Sequence, residues 1–233
     1  MVAPAKKLGD AFDALFLKGL FSNRTEEEWV KHDQLVAKEQ AAMLARDREQ
    51  AWLQKEQFLL QRGLCPKHLE QILSGTMERV PAIDAITKVD SVGLSVMSGN
   101  AGCGKTHAGH VWLLDALTRP PEKWQSASIR RATAAAFART SRYENNSNKI
   151  AVLAKPKKLV LDDLGVEHGD AKGSFLVDLD ELLDIRWSNN SATLLLTNLT
   201  ASDFSERYGR RLYDRCRGQD RWFDVPHPSM RGG

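Results

Sequence analysis

The segment Ser98-Gly99-Asn100-Ala101-Gly102-Cys103-Gly104-Lys105-Thr106-His107 constrains this chain more than any other. It holds the pattern G-x-x-x-x-G-K-T between a short apolar run, Val92–Met97, and a helix-competent stretch that begins at Lys105. Strand, glycine-rich loop and helix, in that order, is the context in which this pattern binds phosphate. The glycines let the backbone curl until successive N–H groups point inward, and the new helix turns its positive end toward the same anion. Gly99, Asn100, Ala101, Gly102, Cys103, Gly104, Lys105, Thr106 and His107 are therefore the expected contacts of a nucleoside triphosphate. Lys105 is expected to reach the β- and γ-phosphates, and the Thr106 hydroxyl to sit on Mg²⁺.

A chain of 233 residues with 42% hydrophobic content can build one full-sized domain with a real core, plus a smaller appendage. No stretch is apolar for long enough to span a membrane, and the first residues lack an apolar signal core, so a cytoplasmic protein with no membrane role is expected. Cys65, Cys103 and Cys216 are odd in number and widely spaced, which suggests neither a disulfide framework nor a zinc cluster. Cys65-Pro66-Lys67-His68 reads as an ordinary linker. The net charge of +3 is modest, but Lys123, Arg130, Arg131, Arg139, Arg142, Lys149, Lys155, Lys157 and Lys158 face only Glu144 within their window. Such a run is either a nucleic-acid footprint or a solvated face.

Two parts are legible. Residues 1–75 are helical and highly charged, with a capping box at Thr25-Glu26-Glu27-Glu28. An amphipathic helix follows to about Gln61, its apolar stripe drawn from Trp29, Leu35, Val36, Met43, Leu44, Trp52, Leu53 and Leu59. Either a shorter helix from Asp10 to Leu20 or a partner protein is expected to cover that stripe. Residues 76–233 alternate strands with helices, the pattern of a parallel sheet covered on both faces. The expected strands are Val92–Met97, Ala127–Thr133, Lys158–Asp162, Ala192–Thr197 and Trp222–Val225. The expected helices are Lys105–Leu117, Ala134–Ser141, Leu176–Ser188 and Ala201–Tyr208.

Three further motifs carry chemistry. Lys158-Leu159-Val160-Leu161-Asp162-Asp163-Leu164-Gly165 is an apolar strand that ends in acids, which places carboxylates beside the phosphate loop. Asp162 is the expected Mg²⁺ ligand, and Asp163 is placed to polarise the attacking water, with Glu167 as a lesser candidate. Ala192-Thr193-Leu194-Leu195-Leu196-Thr197-Asn198 ends in Asn198, which is suited to the γ-phosphate or the hydrolytic water. In Arg207-Tyr208-Gly209-Arg210-Arg211-Leu212-Tyr213-Asp214-Arg215, Arg211 and Arg215 are four apart and share a helix face. Guanidinium groups stabilise charge on a transferring phosphoryl group and often arrive from a neighbouring subunit.

These motifs, in this order, resemble the DnaC/IstB-like branch of the AAA+ ATPases, most of all its bacterial and phage helicase loaders. The resemblance covers residues 90 to 226 and rests on GNAGCGKT, LVLDDLG, LLLTN and the RYGRRLYDR run with Arg221-Trp222-Phe223. It implies an α/β P-loop fold with a five-stranded parallel sheet in the order 5-1-4-3-2 and no separate helical lid, preceded by a small helical N-terminal domain. It further implies ATP hydrolysis with Mg²⁺, slow and stimulated by DNA or a partner, with Arg215 as an arginine finger acting in trans and Arg211 as a second basic position. The implied partners are a hexameric replicative helicase docked on residues 1–75, single-stranded DNA, and further copies of the chain joined through the ATP sites. One departure is visible: Asp163 stands where the family often has Glu. The alternatives are an IstB-type transposition helper, a nucleotide kinase, and an adaptor that binds ATP without hydrolysing it. The Asp162–Asp163 pair followed by Asn198 suits water activation better than transfer to a bound acceptor.

Overall fold

A computed structural model describes residues 25–74, 76, 80–90, 92–115, 128–143, 146–167, 174–217 and 221–225. The expected helix Asp10–Leu20, the charges Lys123 and Glu144, and the side chains of Trp29, Trp52 and Arg142 lie outside the described residues. The chain divides into two compact units, one up to Leu53 and one from Gln54 onward.

The first unit is represented by most of helix α1 (Glu26–Gln61). Half of the capping box is in place, because Glu28 Oε2 accepts from the Thr25 N–H at 2.9 Å. Val30, Leu35, Met43, Leu44 and Leu53 are exposed along this helix, whereas Leu59, near its end, is buried.

The second unit continues with α2 (Pro66–Leu73), α3 (Pro81–Ile86), β1 (Leu94–Gly99), α4 (Lys105–Asp115), β2 (Ile129–Thr133), α5 (Ala134–Tyr143) and α6 (Asn146–Ala154). It then runs through β3 (Lys158–Leu164), α7 (Ser174–Ser188), β4 (Ala192–Thr197), α8 (Ala201–Tyr208), α9 (Arg210–Arg217) and β5 (Trp222–Val225). The strands form one sheet in the order β2-β3-β4-β1-β5, which is the expected 5-1-4-3-2 read from the other edge. Each neighbouring pair is parallel.

Strand periodicity sorts the core into two layers. Leu94, Val96, Leu159, Leu161 and Leu195 join the cluster under α5 to α9, with Phe137, Phe175, Leu179 and Phe204. Met97, Val160, Leu194 and Leu196 point the other way, onto Ala108, Trp112 and Leu113 of α4. That second layer also takes in Leu59, Leu64, Leu69, Ala82 and Ile86. The sheet-bearing unit thus begins earlier than residue 76, because the leucines that follow Gln54 are among those that cover one face of the sheet. Cys65-Pro66-Lys67-His68, read as a linker, leads into the helix Pro66–Leu73, and the short helix Pro81–Ile86 is not among the expected elements. Pro66 and Pro81 open them at the position where a missing N–H costs nothing.

Arg186 of α7 binds the layers together. It is fully buried and donates to Thr193 Oγ1 at 2.7 Å, to the carbonyls of Leu153 and Ala154 at 3.1 Å each, and to those of Pro156 and Ala192 at 2.7 Å each. The end of α6, the turn into β3 and the start of β4 are held by this one guanidinium.

Candidate nucleotide site at the sheet edge

Parallel strands deliver their C-terminal ends to one edge of the sheet. Here β1 and β4 are neighbours, so the loop after Gly99 and the polar residue after Thr197 meet. Their tips are fastened to β3 as well, since Thr197 Oγ1 donates to the Leu164 carbonyl at 2.7 Å.

The loop between β1 and α4 has the curled backbone that its glycines imply. Gly102 and Gly104 have φ of +84° and +91°. A Cβ on Gly104 would stand 2.7 Å from Val80 Cγ2, so only glycine fits. Lys105 Nζ is turned into the loop and donates to the carbonyls of Gly99 at 2.7 Å and Asn100 at 2.9 Å, and to Asn198 Oδ1 at 2.8 Å. Cys103 is buried with its Sγ 3.7 Å from the same ammonium.

A cavity of about 330 Å³ opens over this loop. Ala101, Gly102, Gly104, Lys105, Thr106 and His107 line it, together with Asp163 and Asn198. His107 is buried, and its Nε2 has no hydrogen-bond partner among the described residues. Cavity size, the glycine cradle, the ammonium and an orphaned ring nitrogen all suit a polyphosphate held by this loop.

Asp163 is placed by an irregularity in β3. The register between β3 and β4 shifts between Leu161 and Leu164, and Asp163 has φ of +59°, the left-handed region that Asp tolerates better than most residues. Its N–H donates to Asp162 Oδ1 at 2.9 Å, while its side chain is exposed at the cavity. The carboxyl that is one methylene short is thus carried on a backbone that leaves the ladder.

Asp162 itself is buried and paired. Its Oδ2 accepts from Arg131 Nε at 3.1 Å and Nη2 at 2.7 Å. Arg131 is the residue before Ala132 on the edge strand β2, where Thr133 lies beside Asp162. Its Nη1 also donates to the Gly63 carbonyl at 3.1 Å, and its backbone N–H to the Arg62 carbonyl at 2.8 Å. The acid expected to meet Mg²⁺ therefore holds a guanidinium that reaches back to the end of α1. Sequence reading placed Arg131 in a surface basic run. Of that run, Lys149 is buried 3.5 Å from Asp178 and Lys158 is buried on the Trp112 carbonyl, so these two do not join an exposed basic face.

Glu167, the lesser candidate for polarising water, is corrected to a structural role. It is buried, with Oε1 accepting from Arg207 Nε at 3.0 Å and Tyr208 Oη at 2.6 Å, and Oε2 from the Gly165 N–H at 2.8 Å. Burial and this short bond to Glu167 push the Tyr208 hydroxyl well above its ordinary pKa.

Arg211 and Arg215 do not line the cavity of their own chain. They lie on α9 against acids of α7: Arg211 is 3.2 Å from Asp180 and 2.9 Å from Asp184, and Arg215 also pairs with Asp184.

The wall of the cavity away from the sheet was not foreseen. Lys67, His68 and Gln71 of α2 line it together with Val80, where the sequence suggested a linker. An imidazole pair fastens α2 to α4. His110 Nε2 accepts from the Cys65 N–H at 3.4 Å, and His110 Nδ1 lies 3.1 Å from His68 Nδ1. Burial, reinforced by Arg131, His68 and His107, pulls His110 down to about 3, so it is neutral. With Nε2 accepting, Nδ1 carries the proton and donates to His68.

The sequence matches no model of a known protein family and no curated protein. Solved structures do match. The replication initiator DnaA bound to AMPPCP and single-stranded DNA aligns with a TM-score of 0.52 at 15% identity, over 71% of this chain and 51% of that one. The DnaC helicase loader aligns at 0.47 and 18% identity over 62% of this chain and 85% of that one, and DnaI at 0.48 and 18% over 65% and 81%. The chain spans about half the length of the DnaA chains it matches. Strand order, the loop between β1 and α4, and the likeness to DnaA together give this chain an α/β P-loop fold like that of the DnaA structure.

Proposed function

We propose that this chain is an ATPase of DNA replication initiation that loads a hexameric replicative helicase onto single-stranded DNA. The observation that carries the nucleotide reading is the Lys105 ammonium, held between the phosphate-loop carbonyls and Asn198 at the mouth of a cavity lined by Thr106 and Asp163. The helicase and DNA reading rests on the motif resemblance. The DnaC structure is described as a helicase loader and one DnaA structure as bound to single-stranded DNA, which agrees with it.

The roles follow from position. Backbone N–H groups of Gly99 to Thr106 and the Lys105 ammonium bind the polyphosphate; Thr106 and Asp162 would hold Mg²⁺, which would supply charge neutralisation. Asp163 orients the attacking water and accepts its proton; Asn198 hydrogen-bonds the terminal phosphate or that water. No helix among the described residues is long and apolar enough to cross a membrane. The helicase docking expected of residues 1–75 is assigned to the unit that ends at Leu53.

Arg215 is assigned to the neighbouring subunit's site. Its pairing with Asp184 holds the guanidinium against α7 until an assembled neighbour presents phosphate. Steady-state ATP hydrolysis, with and without single-stranded DNA, tests the reading. Wild type is expected to turn over ATP at a rate that DNA changes several-fold. Arg215→Ala is expected to bind ATP and lose turnover, and mixing it with Lys105→Ala is expected to restore part of the rate. No turnover with DNA, or no rescue at any mixing ratio, contradicts the shared-site assignment.

A further inference from the structure

Two lysines line the cavity. Lys105 donates to the Gly99 carbonyl, the Asn100 carbonyl and Asn198 Oδ1. The other lysine on the cavity wall is Lys67, in the first turn of α2. It is exposed and makes no ion pair among the described residues.

Three features hold this lysine over the phosphate loop. Leu64 and Leu69, on either side of it, are buried in the sheet core. The His68–His110 contact and the Cys65 N–H to His110 bond fasten the same turn to α4, the helix that starts at Lys105. Gly63, just before it, sits where a Cβ would come within 2.2 Å of the Arg131 carbonyl, with φ of +87°, so the chain can turn there only as glycine. The ammonium moves on its own stem, but the stem's origin is fixed.

The first turn of α2 also leaves N–H groups without side-chain caps, since Cys65 makes no capping bond and Pro66 has no N–H. His68 meets the His107 ring edge-on at 5.1 Å, and His107 follows Lys105 and Thr106, which a G-K-T loop uses for the β- and γ-phosphates and for Mg²⁺. Position, charge and helix polarity agree.

We propose that Lys67 is a nucleotide-binding residue, a second cation that contacts the terminal phosphate of a bound nucleoside triphosphate from α2. The inference rests on the ATP-binding reading above. It makes the N-terminal segment part of the site: a triphosphate is gripped between the phosphate loop and α2, and a diphosphate by the loop alone.

Titration of the full chain with MgATP and MgADP by calorimetry tests it, with wild type, Lys67→Ala, Lys67→Arg and Lys105→Ala side by side. Lys67→Ala is expected to weaken ATP binding by about fivefold to tenfold, as for a partly exposed ion contact, and ADP binding by less than about twofold. Lys67→Arg is expected to restore ATP binding, and thermal melting of both variants to match wild type because the side chain is exposed. ATP affinity within about twofold of wild type in Lys67→Ala overturns the inference, as does an equal loss for ATP and ADP. Wild type that binds ATP no better than Lys105→Ala overturns the nucleotide reading itself, and separates that failure from a failure of Lys67 alone.

Discussion

Arg186→Met is expected to destabilise the sheet-bearing unit by about 3–5 kcal/mol, read as a drop in melting temperature of roughly 10 °C in a circular-dichroism melt. The side chain is fully buried and serves five oxygens, four of them main-chain carbonyls. Methionine fills much of the volume and removes the cost of burying a charge, but those carbonyls stay where the fold puts them, each losing a partner at about 1–3 kcal/mol. Arg186→Lys is expected to rescue little, because three donors on a point charge cannot reproduce a planar fork. The effect should be flat across neutral pH. Burial pulls the guanidinium down to about 10, so the cost of charging it is fully present below about 10 and lifts only as pH climbs from there toward the ordinary arginine range. A loss below about 1 kcal/mol would mean that the end of α6 and the start of β4 are held by other contacts.

Arg131→Leu is expected to separate the free protein from its Mg·ATP complex. Without Arg131, the buried Asp162 carboxylate keeps one backbone N–H on Oδ1 and nothing on Oδ2, a loss of about 3–5 kcal/mol in the free protein. If Asp162 meets Mg²⁺ when nucleotide binds, the divalent charge replaces the guanidinium and part of that loss returns. The melting temperature of the variant should therefore rise more with MgATP than that of wild type, and the difference should vanish when EDTA accompanies ATP. An equal rise in both proteins would place the metal away from Asp162 and leave the Arg131 pair a purely structural strut.

The strands were legible because they are short apolar runs, as in Leu159–Leu161 and Leu194–Leu196, and β4 and β5 have the boundaries their sequences imply; their order in the sheet came from the family resemblance. The phosphate loop, Asp163 and Asn198 were legible because each follows an apolar strand, and strand ends converge. What escaped is what depends on contacts distant in sequence. Gly63 and Pro66 signal a break, and they do break α1, but Pro66 also starts α2, whose seat on His110 lies far along the chain. Arg131 looks like its neighbour Arg130; only the register of β2 against β3 puts it on Asp162. Lys149 and Lys158 count as surface charge until Asp178 and the Trp112 carbonyl are found beside them. In Arg186, one arginine late in an acidic helix, nothing local marks a side chain that serves five oxygens.

The central claim is that the loop between β1 and α4 binds a nucleoside triphosphate through Lys105. Calorimetric titration of a non-hydrolysable ATP analogue with Mg²⁺ into wild type and Lys105→Ala tests it most directly. The account predicts saturable one-to-one binding in wild type and a loss of at least about a hundredfold in the variant, as when one partner of a buried, hydrogen-bonded charge contact is removed. Equal affinity in the two proteins, or no binding to wild type, would contradict it.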